Sequence, residues 1–307
     1  MDGRADARLQ PCDPRNPMSL LGFSLVLAAA FCHATWNFFV KRIAAGPELV
    51  WLFSAIAAVI YLPAALYFAS GFDIFAWPAA GFLIATAALH LAYFLLLQRG
   101  YHVGDLSLVY PTARACGPII SVTLAIVLLG ERMSPLAALG GAIVIGGIVM
   151  LTGGLTALPG RAGSKRALTS LAFGVATGCL IGTYTVVDAY AVSVVLIPPL
   201  VLDYASTLGR TVLLAPLAYR RRTKVAALWR DHRVGVLVIA VFNVLAYVLV
   251  LVALTFTPVV YVAPLRELSV LIAVLLGSLV LGEGEVKRRL FYAAIILAGV
   301  TLLAGAS

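Results

Sequence analysis

Apolar residues run along this chain in long blocks, and most of the charged residues fall in the gaps between them. Bounded by charges or by Pro and Gly, the blocks predict helical spans near residues 19–41, 48–69, 77–98, 106–129, 135–153, 168–189, 197–219, 234–256, 259–281 and 289–305. A helix needs about 20 apolar residues to cross a hydrocarbon core, and these spans are of that length. The fold class predicted is an all-α integral membrane protein of ten transmembrane helices joined by short loops.

Composition strengthens that picture. Of the 307 residues 62% are hydrophobic and 11% charged, against roughly 45–50% and 25% in soluble domains. Lipid can solvate that much apolar surface, and no soluble fold hides it. In a soluble protein the net charge of +9 would suggest nucleic acid as a partner. Here the basic residues sit mostly in loops, as the positive-inside rule requires, so no nucleic-acid partner is expected. Arg4, Arg8, Arg15 and Arg132 fall on one side; fifteen others, among them Lys41, Arg42, Arg99, Arg166, Arg221 and Lys287, fall on the other. With ten spans, the richer side is cytoplasmic and both termini are outside, in the plasma (inner) membrane.

Cys32, Cys116 and Cys179 lie within apolar spans and no CxxC pair occurs, which points to inert buried thiols rather than disulfides or metal ligands. The first apolar stretch is too long for a signal-peptide core and holds His33, Trp36 and Asn37, so it is expected to be retained. Residues 1–18 form a polar, Pro-rich tail, within which Met18 is an alternative start.

Set against itself, the chain repeats. Ala92-Tyr93, Tyr110-Pro111, Arg114 and Leu128-Leu129-Gly130-Glu131 are answered by Ala246-Tyr247, Ala263-Pro264, Glu267 and Val280-Leu281-Gly282-Glu283, at an offset drifting from 154 to 152. Thr35-Trp36-Asn37 likewise faces Thr183-Tyr184-Thr185. Residues 19–153 and 168–305 are therefore two five-helix repeats joined by a basic linker at 154–167. Because five is odd, the second repeat enters the membrane inverted, a signature of many secondary transporters.

The paired LLGE-type endings, each after a Pro-containing span and before a span rich in small residues such as Gly140-Gly141 and Gly146-Gly147, resemble those of the EamA family of the drug/metabolite transporter superfamily. The resemblance covers nearly all of residues 20–305. It implies a carrier of small polar metabolites, amino acids or related compounds, with its cavity between the halves. Small multidrug-resistance relatives place a glutamate in the first helix, where this chain has Trp36 and Asn37. A mechanism resting on that carboxylate does not carry over.

Several residues then carry candidate chemistry. Pro111 and Pro264 lie about a turn inside the fourth and ninth spans; each removes a helical hydrogen bond, which predicts matched helix breaks beside a site. An ordinary membrane-helix kink is the plainer reading. Arg114 and Glu267, three residues after each proline, are charges at membrane depth, where they face a pathway or a partner. Either Arg114 takes an anionic group of the substrate and Glu267 a proton or an amino group, or the two form a structural ion pair. Asp203, Thr207 and Arg210 share a helix face, with Asp203 placed at the membrane interface; Asp188 is placed at a solvated position near the end of its span and is a further proton site. His33, with Asn37 on its face, and His90, with Tyr93, can shuttle protons or serve as bundle hydrogen-bonding groups. Aromatic rings at Trp36, Tyr93, Tyr110, Tyr184, Tyr247 and Tyr261 suit cation binding.

The substrate-binding set expected is thus Arg114, Glu267, Tyr110, Trp36, Asn37, His90, Tyr93, Asn243 and Tyr247, with Glu267, His33 and Asp188 as proton-coupling sites. Glu131 and Glu283 are expected to belong to turns, and small residues four apart, such as Ala137 and Gly141, to packing or dimerisation. Residues 160–165 lack the GxxxxGK[ST] spacing and HExxH is missing, so neither an ATP-driven pump nor a zinc hydrolase is expected. No cofactor or metal is expected; the partners are a small-molecule substrate, the bilayer and, as an option, a second copy in a homodimer. The rival reading is a membrane-embedded enzyme acting on a lipid or lipid-linked substrate. It needs acidic metal-binding clusters or a catalytic motif in the loops, and these short basic loops have none.

Overall fold

The computed structural model describes residues 18–43, 45–151, 165–281 and 286–305. Among these the secondary structure is helical throughout: α1 (Leu20–Ile43), α2 (Pro47–Ser70), α3 (Ala79–Val103), α4 (Leu106–Leu129), α5 (Pro135–Leu151), α6 (Lys165–Ser193), α7 (Pro199–Arg220), α8 (Arg222–Leu254), α9 (Val259–Arg266), α10 (Leu268–Leu281) and α11 (Val286–Gly305). Six of them, α1, α2, α3, α4, α6 and α8, are long and apolar enough to cross a membrane. Large apolar side chains such as Val59, Leu66, Ile84, Val127 and Val212 stand exposed on the outside of the bundle. Apolar surface on that scale calls for lipid rather than water. The molecule is a multi-pass membrane protein.

Two elements differ from the sequence expectation. Residues 259–281 form two helices broken at Glu267. Pro264 has no N–H to offer Val260, and the chain tightens there: Glu267 N–H bonds the Pro264 carbonyl at 3.1 Å and Val270 N–H the Glu267 carbonyl at 2.9 Å. These three-residue spacings carry the chain around the corner. No matching break occurs in the first repeat, where α4 runs through Pro111 and Pro118 as one helix. Pro111 is the sixth residue of α4 as Pro264 is of α9, so the proline alone does not make the break, and past Pro111 the α4 ladder closes again.

The second difference is α8, which begins at Arg222 rather than near residue 234 and has a non-helical residue at His232 (φ −134°, ψ 23°). Its first turns carry Arg222, Lys224, Arg230 and Asp231 and lie outside the apolar part, with Trp229 exposed among them. A charged helical segment with an exposed indole suits the membrane interface. The turns otherwise follow local chemistry. Gly130 ends α4 in the left-handed region (φ 69°), which glycine adopts without strain. Ser134 Oγ accepts the Ala137 N–H at 3.1 Å, capping α5 ahead of Pro135.

Helix packing repeats across the two halves. Exchanging α1 with α6, α2 with α7, α3 with α8, α4 with α9–α10 and α5 with α11 maps the α1–α8 contact onto α6–α3, α4–α6 onto α9–α10 against α1, and α3–α7 onto α8–α2. The pairs α2–α7 and α5–α11 map onto themselves. The broadest seam, α4 against α6, depends on small residues: a Cβ on Gly178 would lie 2.5 Å from Cys116 Cβ, and one on Gly182 would lie 2.4 Å from Ile120 Cγ2. In the α5–α11 seam a Cβ on Gly140 would meet the Gly299 carbonyl oxygen at 2.8 Å. Small residues of α5 thus serve packing within the chain. Together these seams bring the inner faces of α3, α4, α6, α8 and α9 around one centre.

Candidate functional site

Three polar clusters occupy that centre. In the first, Arg114 of α4 reaches across the halves to Glu267 at the break between α9 and α10, Nε to Oε2 at 3.0 Å. Arg114 also donates to Ser269 Oγ at 3.2 Å. Both charged side chains are largely buried, and the helix break aims Glu267 at α4. Tyr110, one turn before Arg114, lies within electrostatic reach of both, and α1 brings His33 within reach of Arg114 and Arg266.

The second cluster surrounds Asp188 of α6, which is fully buried. Tyr247 of α8 donates its hydroxyl to Asp188 Oδ2, and His90 Nε2 of α3 stands 3.8 Å from the same oxygen. His90 Nδ1 lies 2.9 Å from the Thr86 carbonyl and 3.2 Å from the Thr86 hydroxyl. Ser206 of α7 closes this edge, 3.4 Å from both His90 Nδ1 and Thr86 Oγ1. Rings enclose the pair: Tyr184 lies 4.2 Å and Tyr247 5.2 Å from the imidazole, centroid to centroid, and Tyr93 packs on Tyr184 at 5.7 Å. Arg266 sits over the face of Tyr247 at 5.5 Å and donates to Thr185 Oγ1 at 3.3 Å, so Tyr247 links the first two clusters through a cation–π contact.

The third cluster runs along α7. Arg210 donates to Thr207 Oγ1 at 3.1 Å and to Asn243 Oδ1 of α8 at 3.4 Å, and Thr207 reaches Asp203 Oδ2 at 3.5 Å. Asn243 therefore lies in this stripe. Asp203 and Asp188, placed by the sequence at an interface and at a solvated helix end, are both buried, because the neighbouring helices close over them. On α1, Asn37 spends its amide on the His33 carbonyl at 2.7 Å. Trp36 packs edge-on to His33 at 5.0 Å, its buried Nε1 without a partner among the described residues.

Glu131 turns out to be more than a turn residue. Its two carboxylate oxygens accept the Val259 and Val260 N–H groups, each at 2.9 Å, capping α9 from the opposite half. A carboxylate there satisfies two free helix donors and complements the helix dipole. Burial pushes the Glu131 carboxyl above its ordinary value, while the two N–H donors pull it back. Its repeat counterpart Glu283 lies outside the described residues. Thr86, Ser206 and Ser269 were not anticipated from the sequence. Only Thr86 carried a signal, standing four residues before His90 and so on its helix face. Among the described residues no group of three His, Cys, Asp or Glu side chains could hold a metal ion.

A helical membrane protein of two matched repeats, with ionisable groups of both halves meeting at its centre, has the architecture of a carrier. The family model of the EamA-like transporters matches residues 20–153 and 168–305. The chain belongs to that family, which is part of the drug/metabolite transporter superfamily. A solved structure described only as the crystal structure of a protein is similar to it in fold, with a TM-score of 0.68 and 17% identity over 92% of this chain and 95% of that one. No curated protein matches the chain.

Proposed function

We propose that the chain is a secondary transporter that exports a small polar metabolite, an amino acid or a related compound, across the plasma membrane by alternating access. Ten spans in two inverted repeats carry the motion, with both termini outside. The observation that supports this reading is the ion pair between Arg114 and Glu267, one residue from each repeat, at the break of the ninth span. Charges at such depth face a pathway or a partner, and broken helices at the repeat interface are where transporters bind their cargo. In this reading Arg114 receives a negative group of the substrate when it parts from Glu267. Tyr110, Tyr93 and Tyr247 supply aromatic faces and hydroxyls, and His90 and Asn243 orient polar groups. Trp36 and Asn37 line the approach from α1. Glu267, His33 and Asp188 are the groups available for proton coupling.

The test is uptake of a mixed radiolabelled amino-acid pool into proteoliposomes, with and without an imposed pH gradient, by the parent and by Arg114→Ala. Accumulation by the parent, with carboxylate-bearing members lost in the variant, is expected. Failure of the folded parent to move any member overturns the reading, and equal transport of carboxylates by Arg114→Ala removes Arg114 from the site.

A further inference from the structure

Glu267 and Asp188 are both buried carboxylates, yet their surroundings differ. Glu267 has Arg114 at 3.0 Å and Arg266 next in the chain, so its negative charge is matched where it stands. Among the described residues no guanidinium or ammonium group forms an ion pair with Asp188. Its Oδ2 takes the Tyr247 hydroxyl. Its Oδ1 has no hydrogen-bond partner among the described residues, and the nearby Thr86 hydroxyl is a neutral group. An unmatched carboxylate is not stable at a dry position.

His90 resolves this. A carbonyl oxygen only accepts, so Nδ1, 2.9 Å from the Thr86 carbonyl, carries a hydrogen and donates it there. The tautomer is thereby set, and Nε2 presents its lone pair towards Asp188 Oδ2 at 3.8 Å. One proton serves the two, and with Nε2 and Oδ2 3.8 Å apart, too far for a charge-assisted hydrogen bond, it rests on Asp188 as a carboxyl facing a neutral imidazole. The pair is then neutral overall. Other charged or titratable groups bear on the pair from the packed helices: Asp203 and Arg210 from α7 and Arg266 from α9, with Tyr184 of α6 itself against the imidazole, Tyr93 of α3 packed on Tyr184, and Arg114 of α4 beyond Tyr93. Arg266, the cation that bears on both members of the pair, is committed to the Tyr247 face and to Thr185. Asp203 adds negative charge and so favours keeping the proton.

We propose that Asp188 and His90 form a proton-binding site that holds one proton while the centre is closed, and whose loss of that proton to water accompanies opening. With the proton gone, the pair leaves an anion faced by neutral hydroxyls, those of Tyr247 and Thr86, a state that hydration or a cation must relieve. The inference deepens the transporter reading and rests on it only for the use to which the proton is put, so its test needs no substrate.

The parent, Asp188→Asn, Glu267→Gln and His90→Gln are reconstituted in lipid nanodiscs and titrated by infrared spectroscopy. Hydrogen exchange of the α3 and α6 peptides is followed over the same pH range after correction for chemical exchange. A protonated-carboxyl band at neutral pH is expected in the parent and in Glu267→Gln but not in Asp188→Asn. Exchange around His90 and Asp188 is expected to rise about ten-fold as the band titrates away, as local opening does, and to stay flat in Asp188→Asn. A band that survives Asp188→Asn or vanishes in Glu267→Gln overturns the proposal, as does exchange indifferent to the titration. Should Asp188→Asn not fold, His90→Gln decides: a displaced midpoint supports the pair, and an unchanged one refutes it. A parent that behaves as expected yet moves no amino acid would count against the transporter reading alone.

Discussion

At the scale of single residues, the centre contains charges whose cost is met in different ways. Arg114 and Glu267 meet it by pairing, Arg266 by lying on an aromatic face, Arg210 by hydroxyl and amide acceptors, and Asp188 by its neighbour His90. Removing one partner of a buried pair leaves the other uncompensated, at about 3–5 kcal/mol, whereas replacing both with apolar residues of similar size is often neutral. Arg114→Met and Glu267→Met should therefore each lower thermal stability in detergent, and the double variant should recover most of the loss while remaining unable to transport. A double variant as unstable as either single one would show that the pair is not the principal partner of either charge. Arg114 and Glu267 were legible in the sequence because a charge inside an apolar run stands out and because the repeat aligns the two positions. Thr86, Ser206 and Ser269 were not, since single hydroxyls occur throughout apolar helices and only their neighbours across the bundle make them significant.

At the scale of elements, one seam and one break organise the molecule. The α4–α6 seam brings Arg114 and Asp188 to the same centre, and it closes only because Gly174, Gly178 and Gly182 admit the α4 side chains. Gly178→Leu would force the helices apart, at roughly 1–3 kcal/mol for overpacking. Gly146, with nothing within 4 Å of an added Cβ, should accept Ala without loss. Thermal unfolding of the two variants side by side checks the contrast, and equal stability would mean that the seam has slack. The break at Glu267 was half legible. Pro264 marked it, but Pro111 marked its repeat counterpart equally well, and there the helix continues. A proline weakens one rung of the ladder, and since Pro111 and Pro264 hold the same place in their helices, whether the helix then parts depends on what holds the neighbouring turns. For α9 that includes Glu131, whose carboxylate caps the start of the helix from the other half.

At the scale of the whole molecule, the basic ends of the helices gather on one side. Arg221, between α7 and α8, bonds Glu48 at the start of α2 at 2.8 Å, and Arg166 at the start of α6 bonds Asp105 before α4 at 3.0 Å. These exposed cations are the residues that the positive-inside rule assigns to the cytoplasm. In a cysteine-free background, Asp73→Cys should react with a membrane-impermeant maleimide added to intact cells, and Lys224→Cys should react only after lysis. The reverse pattern would turn the molecule over. The amino-acid sequence by itself determined the membrane class, the positions of most spans, the two repeats and the charges that cannot be accidental. Each of these is a property of a residue and the solvent it faces, lipid or water, and so can be read along one dimension. Tertiary structure alone decided that Asp188 is buried against His90 and Tyr247, that Asn243 belongs with Arg210, and that Glu131 caps α9. Those pairings depend on how far each helix is rotated and slid against its neighbours. Side-chain shape at the seams sets that register, and residues far apart in the chain set it together.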